Sequence, residues 1–218
     1  MKPSHSNQRC RAFTLLELSV VIFLLAMLAA IILPANNGGP GKARRISCVY
    51  NLRQITVAYF LWELDHGGKY PAEISMTNGG TMGLADGRNA WINYFVMSNQ
   101  LSAPKILHCP ADTNSFAATN FSSGFNNQNI SYFVGLSADT NHSQAFLAGD
   151  DNFEIGGVPV KSGLLEISSN MPIAWSAARH KFGGNIGLAD GSVQSVDNNS
   201  LSKLLDQTGL ATNRLAIP

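Results

Sequence analysis

Residues 13–33 read FTLLELSVVIFLLAMLAAIIL, 21 residues that are apolar on every side of a helix and carry one charge, Glu17. At about 1.5 Å per residue such a helix is about 31 Å long, enough to cross the hydrocarbon core of a bilayer. A helix buried in a soluble domain would be shorter or would show a polar face, so lipid is the solvent this segment fits. A secretory signal would have an apolar stretch of about 7–15 residues followed by a small-residue cleavage site. Here Ala26, Ala29 and Ala30 lie inside the run, and the polar leader stops at Ala12, ahead of it. The segment reads as a single anchor, with residues 1–12 as a cytoplasmic leader and the rest of the chain exported.

Charge points the same way. The leader carries Lys2, Arg9 and Arg11 and no acid, a bias that keeps a flank on the cytoplasmic side. Of 15 basic and 14 acidic residues, 12 and 14 remain after the leader. The formal net charge of +1 argues against bulk electrostatic binding to nucleic acid, so no nucleic-acid partner is expected. Only 13% of residues are charged, about half the usual share, and Asn, Ser, Thr and Gly take up the surface instead.

Two features stay open on the residues alone. Glu17 sits about 6 Å into the run. If the chain is cut before Phe13, its carboxylate can neutralise the new α-amino group, in the same chain or a neighbour. Alternatively it snorkels to interfacial water. Cys10 belongs to the leader, while Cys48 and Cys109 either form one disulfide in an exported chain or remain separate buried thiols. No C-x-x-C pair occurs, so a zinc knuckle is not expected.

The stretch Arg11-Ala12-Phe13-Thr14-Leu15-Leu16-Glu17-Leu18 resembles the class III signal of type IV pilins and type II secretion pseudopilins. The resemblance implies cleavage between Ala12 and Phe13 by prepilin peptidase, N-methylation of Phe13 and an assembly role for Glu17. Pro34 matches a proline common in the stem helices of that family. Further along, Cys48-Val49-Tyr50-Asn51-Leu52-Arg53-Gln54-Ile55, Gly68-Lys69-Tyr70-Pro71 and Cys109-Pro110-Ala111-Asp112 resemble elements of planctomycete and verrucomicrobial prepilin-like proteins. So does His180 followed by Asp190-Gly191, as an H-x9-D-G element. Within that pattern Cys48 and Cys109 are disulfide partners tying stem to head. The implied fold is α+β and pilin-like, with a long N-terminal helical stem, membrane-spanning in its first part, packed on a small antiparallel β-sheet head.

The organisation expected is a leader over 1–12, a transmembrane and assembly helix over 13–33 and a flexible joint over 34–41. The second part of the stem follows over 42–68, then an exported head over 69–218. Pro34, Pro40 and the glycines between them disfavour helix in the joint. In the second stem part Ile46, Val49, Tyr50, Arg53 and Val57 mark one face, and Gly67-Gly68 stops the helix. In the head, Trp91–Met97 reads as a short helix or strand, and 130–136, 145–148 and 173–175 read as strands. Residues 185–196 read as a hairpin turning on Asp190-Gly191, a two-residue type I′ signal. Ser200 is placed to cap a last helix ending at Gly209.

Ser192, His180 and Asp190 lack the spacing of a nucleophilic triad and no nucleophile elbow surrounds Ser192, so no enzyme is expected. Asp150 and Asp151, on a turn-prone segment with Asn152, are weak calcium candidates. The resemblance implies a structural subunit of the inner membrane, its head facing the periplasm or exterior, in a type II secretion or type IV pilus-like filament. Its partners would be other pilin or pseudopilin subunits, the prepilin peptidase, the filament assembly machinery and membrane lipid. The alternative is a membrane-tethered periplasmic binding module that never polymerises, using Trp91, Tyr94, Tyr132 and Trp175.

Overall fold

The computed structural model describes residues 13–32, 39–84, 88–122 and 124–218. The chain divides into two compact units, Met1–Pro40 and Gly41–Pro218. The leader with Ala12, and Leu33, Pro34 and most of the expected joint, lie outside the described residues.

In the first unit, α1 runs Leu15–Ile32. It opens with a reciprocal cap. The Thr14 hydroxyl accepts from the Glu17 backbone N–H at 3.2 Å, and the Glu17 carboxylate accepts from the Thr14 backbone N–H at 3.0 Å. This T-x-x-E pairing satisfies donors that a helix start leaves unpaired. Among the described residues no helix is long and apolar enough to cross a membrane.

The second unit begins with α2, Pro40–Asp65, two residues earlier than the sequence suggests. Proline fits there because its missing N–H costs nothing in the first turn. At the other end the Gly68 N–H reaches back to the Glu63 carbonyl at 3.0 Å, and Gly67 takes φ 66°. That is a left-handed C-terminal cap, available to glycine at no steric cost.

The buried face of α2 is Cys48, Leu52, Ile55, Tyr59 and Trp62, at helical spacings of four and three. The face marked by Ile46, Tyr50, Arg53 and Val57 is the opposite, exposed one. Ile46, Tyr50 and Val57 are 60%, 64% and 54% exposed, and Leu61 and Leu64 continue that stripe. The helix carries two apolar stripes, and periodicity alone cannot say which one finds a core.

Six antiparallel strands form the main sheet, in the order β5-β9-β1-β2-β7-β8. They are β1 Tyr132–Gly135, β2 Phe146–Asp150, β5 Gly163–Ile167, β7 Gly183–Leu188, β8 Val193–Asp197 and β9 Asn213–Ile217. A second sheet, ordered β4-β3-β6, contains β3 Phe153–Ile155, β4 Val158–Pro159 and β6 Ile173–Trp175. Residues alternate across the main sheet as strand geometry requires. Tyr132, Val134, Leu147 and Ala216 join the core with α2, while Phe133, Phe146, Leu215 and Ile217 join a second core. That second core takes Leu201, Leu204 and Leu205 from α4, Asn198–Gln207, and Trp175 from the small sheet. The head is thus three layers deep with the sheet buried on both faces. Short α3, Ala90–Val96, anchors through Tyr94, whose hydroxyl donates to the Phe133 carbonyl at 2.9 Å.

Two local expectations are corrected. The β7–β8 connection is not a two-residue type I′ turn. Gly191 alone has positive φ, 82°, and the Gly191 and Leu188 N–H groups bond to the Leu188 and Ser192 carbonyls. A three-residue loop results, with glycine in the left-handed position. The N–H groups of Ala189 and Asp190 bond instead to the carbonyls of Ala145 and Ser143. The cap of α4 is Asp197, not Ser200. Asp197 accepts from the Ser200 N–H at 2.9 Å and from its hydroxyl at 2.6 Å. A carboxylate offers two acceptors at a helix start, where the serine hydroxyl is free to donate.

Candidate functional site

A buried polar cluster in the second unit collects most of the residues that the sequence singled out. Cys48, from the first half of α2, is disulfide-bonded to Cys109, with Cα atoms 5.4 Å apart. Cys109 follows a short helical turn, Pro104–Leu107, and opens the tight turn that carries Asp112. Asp150 ends β2, Asp151 follows it, and Arg179-His180 lie in the loop between β6 and β7. Immediately after them Lys181 and Phe182 take φ 54° and 62°. Two consecutive non-glycine residues in the left-handed region cost on the order of 1 kcal/mol each, so surrounding contacts must hold this loop in place.

His180 is aimed inward. Its Nε2 lies 3.4 Å from Cys109 Sγ and 3.4 Å from Asp150 Oδ2. That Asp150 oxygen also accepts from the Asn185 backbone and side-chain N–H groups, each at 2.8 Å. Asn185 is fixed in turn by the Ser195 hydroxyl, which donates to its carbonyl oxygen at 2.6 Å. Asp150 Oδ1 is buried and has no hydrogen-bond partner among the described residues.

Beside this group Arg179 bridges two carboxylates. Its Nη2 lies 2.9 Å from Asp112 Oδ2 and pairs with Asp151 Oδ1, while Nη1 donates to the Ser131 carbonyl at 2.7 Å. Burial pushes the Asp112 carboxyl up. The guanidinium and hydrogen bonds from Ser115, the Asn114 N–H and Ser131 outweigh that and hold it below the usual range. Asp151 goes the other way and is pushed up to about 7. There burial is the largest influence, Arg179 opposes it, and the charges of Asp112 and Asp150 add to it. A single guanidinium shared by two acids cannot relieve both equally. Asp112, Asp151 and Arg179 also line a surface cleft of about 470 Å³.

These placements test several sequence expectations. Asp150 and Asp151 face N–H donors, a guanidinium and an imidazole, whereas a calcium cage supplies further oxygens. The H-x9-D-G element is split: His180 precedes β7, and Asp190-Gly191 follow its far end. At that far end Asp190 accepts from the Ser192 N–H and the Gln144 side chain, both at 2.8 Å. A Cβ on Gly191 would come within 2.6 Å of the Phe60 ring on α2, so only glycine lets the hairpin tip approach that helix. Arg179 was not singled out from sequence. The available signal was chemical, because three acids in so weakly charged a chain need a cation, and Arg179 adjoins the motif histidine.

At the amino terminus, Phe13 is exposed ahead of α1 and Glu17 is occupied in the cap with Thr14. The cap was legible as T-x-x-E but was not among the two readings of Glu17.

Comparison with known proteins resolves the kinship. Residues 7–33 match the family model described as the prokaryotic N-terminal methylation motif. Type II secretion system core protein G of Pectobacterium carotovorum subsp. carotovorum is 37% identical over 67 residues, 31% of this chain and 42% of that protein. The protein of the same name from Klebsiella pneumoniae is 41% identical over 64 residues, 29% of this chain and 45% of its own length. Over these stretches the chain is similar to the type II secretion pseudopilins and carries the N-terminal methylation motif. It spans less than half the length of these two curated relatives. No solved structure matches the chain.

Proposed function

We propose that this chain is a structural subunit, a pseudopilin, cut between Ala12 and Phe13 by prepilin peptidase and methylated at Phe13. Residues 13–33 hold it in the inner membrane until it enters a type II secretion or type IV pilus-like filament. The observation that carries the reading is the methylation-motif match over residues 7–33. It covers the last six residues of the leader, the cleavage point and the apolar run together.

A second feature supports assembly. The exposed stripe Ile46, Tyr50, Val57, Leu61 and Leu64 lies on a helix whose other side is already in the core. An apolar stripe left open on an exported domain, interrupted only by the exposed Arg53, suits contact with neighbouring subunits. The domain plan follows the same reading, with a leader over 1–12, a connecting segment over 34–39, and a stem helix from Pro40 to Asp65 leading into the head. Filament machinery, other pilin subunits and membrane lipid are the partners it requires.

The decisive measurement is the mass of the mature N-terminus from the native host. It should begin at a monomethylated Phe13. A chain still carrying Met1 to Ala12 sinks the proposal. The cleft floored by Arg179 favours a second reading, a tethered binding module that does not polymerise. Cross-linking in membranes separates the two, because ladders of oligomers arise only from the filament subunit.

A further inference from the structure

We propose that the dithiol form of this chain binds one zinc ion between Cys48, Cys109, Asp150 and His180. These residues come from α2, the turn after Leu107, the end of β2 and the β6–β7 loop. Their two sulfurs, carboxylate oxygen and imidazole nitrogen all lie within 4.8 Å of one another, and all four side chains are buried.

The donor set suits zinc. A tetrahedral ion with Zn–S of about 2.3 Å and Zn–N and Zn–O of about 2.0–2.2 Å needs neighbouring donors roughly 3.3–3.8 Å apart. Cys109 Sγ to His180 Nε2 is already 3.4 Å, and the Asp150 carboxylate lies within 3.4 Å of the same nitrogen through Oδ2, so a small turn of the carboxyl group brings Oδ1 to the ion. Reduction of the disulfide by an added phosphine or dithiol, which supplies two electrons while water or the dithiol supplies two protons, gives two thiols whose sulfurs are free to separate onto one ion. Two thiolates and an imidazole are soft or borderline ligands, a set that disfavours calcium and magnesium. Sequence spacing gave no hint of this, because the cysteines stand 61 residues apart and not as a C-x-x-C pair.

Two further observations point to a missing cation. Asp150 is 0% exposed, and its Oδ1 has no hydrogen-bond partner among the described residues. An unpaired carboxylate oxygen in a dry interior is costly, and coordination to a cation removes that cost. Charge is also unevenly shared, since Arg179 pairs with Asp112 and Asp151 while, among the described residues, the Asp150 carboxylate is partnered by His180 and Asn185. The Asn185 N–H groups on Oδ2, locked by Ser195, are the outer support expected around a ligating carboxylate.

On binding, each thiol gives its proton to solvent and each sulfur donates a lone pair to the ion. In the disulfide form neither sulfur is a thiolate. Only His180 and Asp150 then remain as ligands, so occupancy depends on the redox state of the pair.

The test uses the full chain in detergent micelles, reduced with a phosphine in the absence of metal and titrated with cobalt(II), then with zinc. We expect one cobalt per chain, a thiolate-to-cobalt absorption band, displacement of cobalt by zinc and release of about two protons per ion. The disulfide form should bind at least 100-fold more weakly. His180→Ala and Asp150→Asn should each weaken cobalt binding by tenfold or more, with their fold verified beforehand in the disulfide form by circular dichroism. Absence of stoichiometric uptake, a cobalt spectrum without the sulfur band, or unchanged affinity in both variants overturns the proposal. A reduced chain that unfolds rather than binding overturns it as well.

Discussion

α1 and α2 are both rich in leucine, isoleucine and valine, yet they use those residues in opposite ways. α1 is apolar all round, and its one acid is spent on its own first turn through Thr14. Nothing in its sequence prefers one rotation about its axis over another. α2 is sided. One apolar stripe is sealed into the core and covalently held by the Cys48–Cys109 bond, and the opposite stripe is left open. A uniform helix suits a solvent that surrounds it, such as lipid or like helices. A sided helix records where its own domain lies and leaves its remaining face for a partner.

The comparison can be broken most severely on the buried face of α2. Leu52→Ala or Tyr59→Ala should cost about 3–5 kcal/mol of the second unit's stability, read by denaturant unfolding. A loss below about 1 kcal/mol would mean that this face is not the core face. Cys48→Ser should cost about 4 kcal/mol, from releasing the loop that the disulfide closes. Comparing denaturant midpoints of the variant and the oxidised parent checks it.

Acid provides a subtler probe of α2's unit. The Asp112 carboxyl is held below its unfolded value, so its stabilising contribution is complete above pH about 4. It is lost as pH falls through the folded pKa. Asp112→Asn should flatten the acid limb of the melting-temperature profile, and an unchanged limb would remove Asp112 from the account.

The smallest expected effects concern exposed groups. Val57→Ser and Leu61→Ser should change the stability of the isolated chain by less than about 0.5 kcal/mol while lowering incorporation into filaments. If assembly is unaffected, the open stripe is not a subunit contact. Glu17→Ala should reduce hydrogen-exchange protection in the first turn of α1 without moving the melting of the second unit. Its effect on filament yield sharpens the contrast further. Lost assembly with an intact first turn would assign Glu17 to a neighbour, whereas lost protection with normal assembly would leave only the cap.

Legibility in the sequence followed the range of the interaction. The Gly67-Gly68 stop and the Asp190-Gly191 turn were readable because glycine's access to positive φ is a property of one residue. The exact turn was not, since hydrogen bonds from Ala189 and Asp190 to Ala145 and Ser143 join separate segments. Likewise β9, a strand between β5 and β1, carries too short and mixed a pattern, NRLAI, to stand out before its neighbours exist. The rotation of α2 was not legible because the helix carries two apolar stripes. Only the core side contains Cys48, whose partner arrives from 61 residues away.

By itself the sequence determined the properties that a short stretch of chain contains: an unbroken apolar run, a basic leader, helix stops and turns. Backbone sterics, charge and lipid-like hydropathy act over a few residues and need no fold to be expressed. The tertiary structure alone decided which face of α2 is buried. It also decided that Arg179 is shared between Asp112 and Asp151, and that two cysteines, an aspartate and a histidine from four segments meet in one buried cluster. Those outcomes depend on burial and on contacts between distant segments, and neither exists until the sheet and α2 have closed on each other.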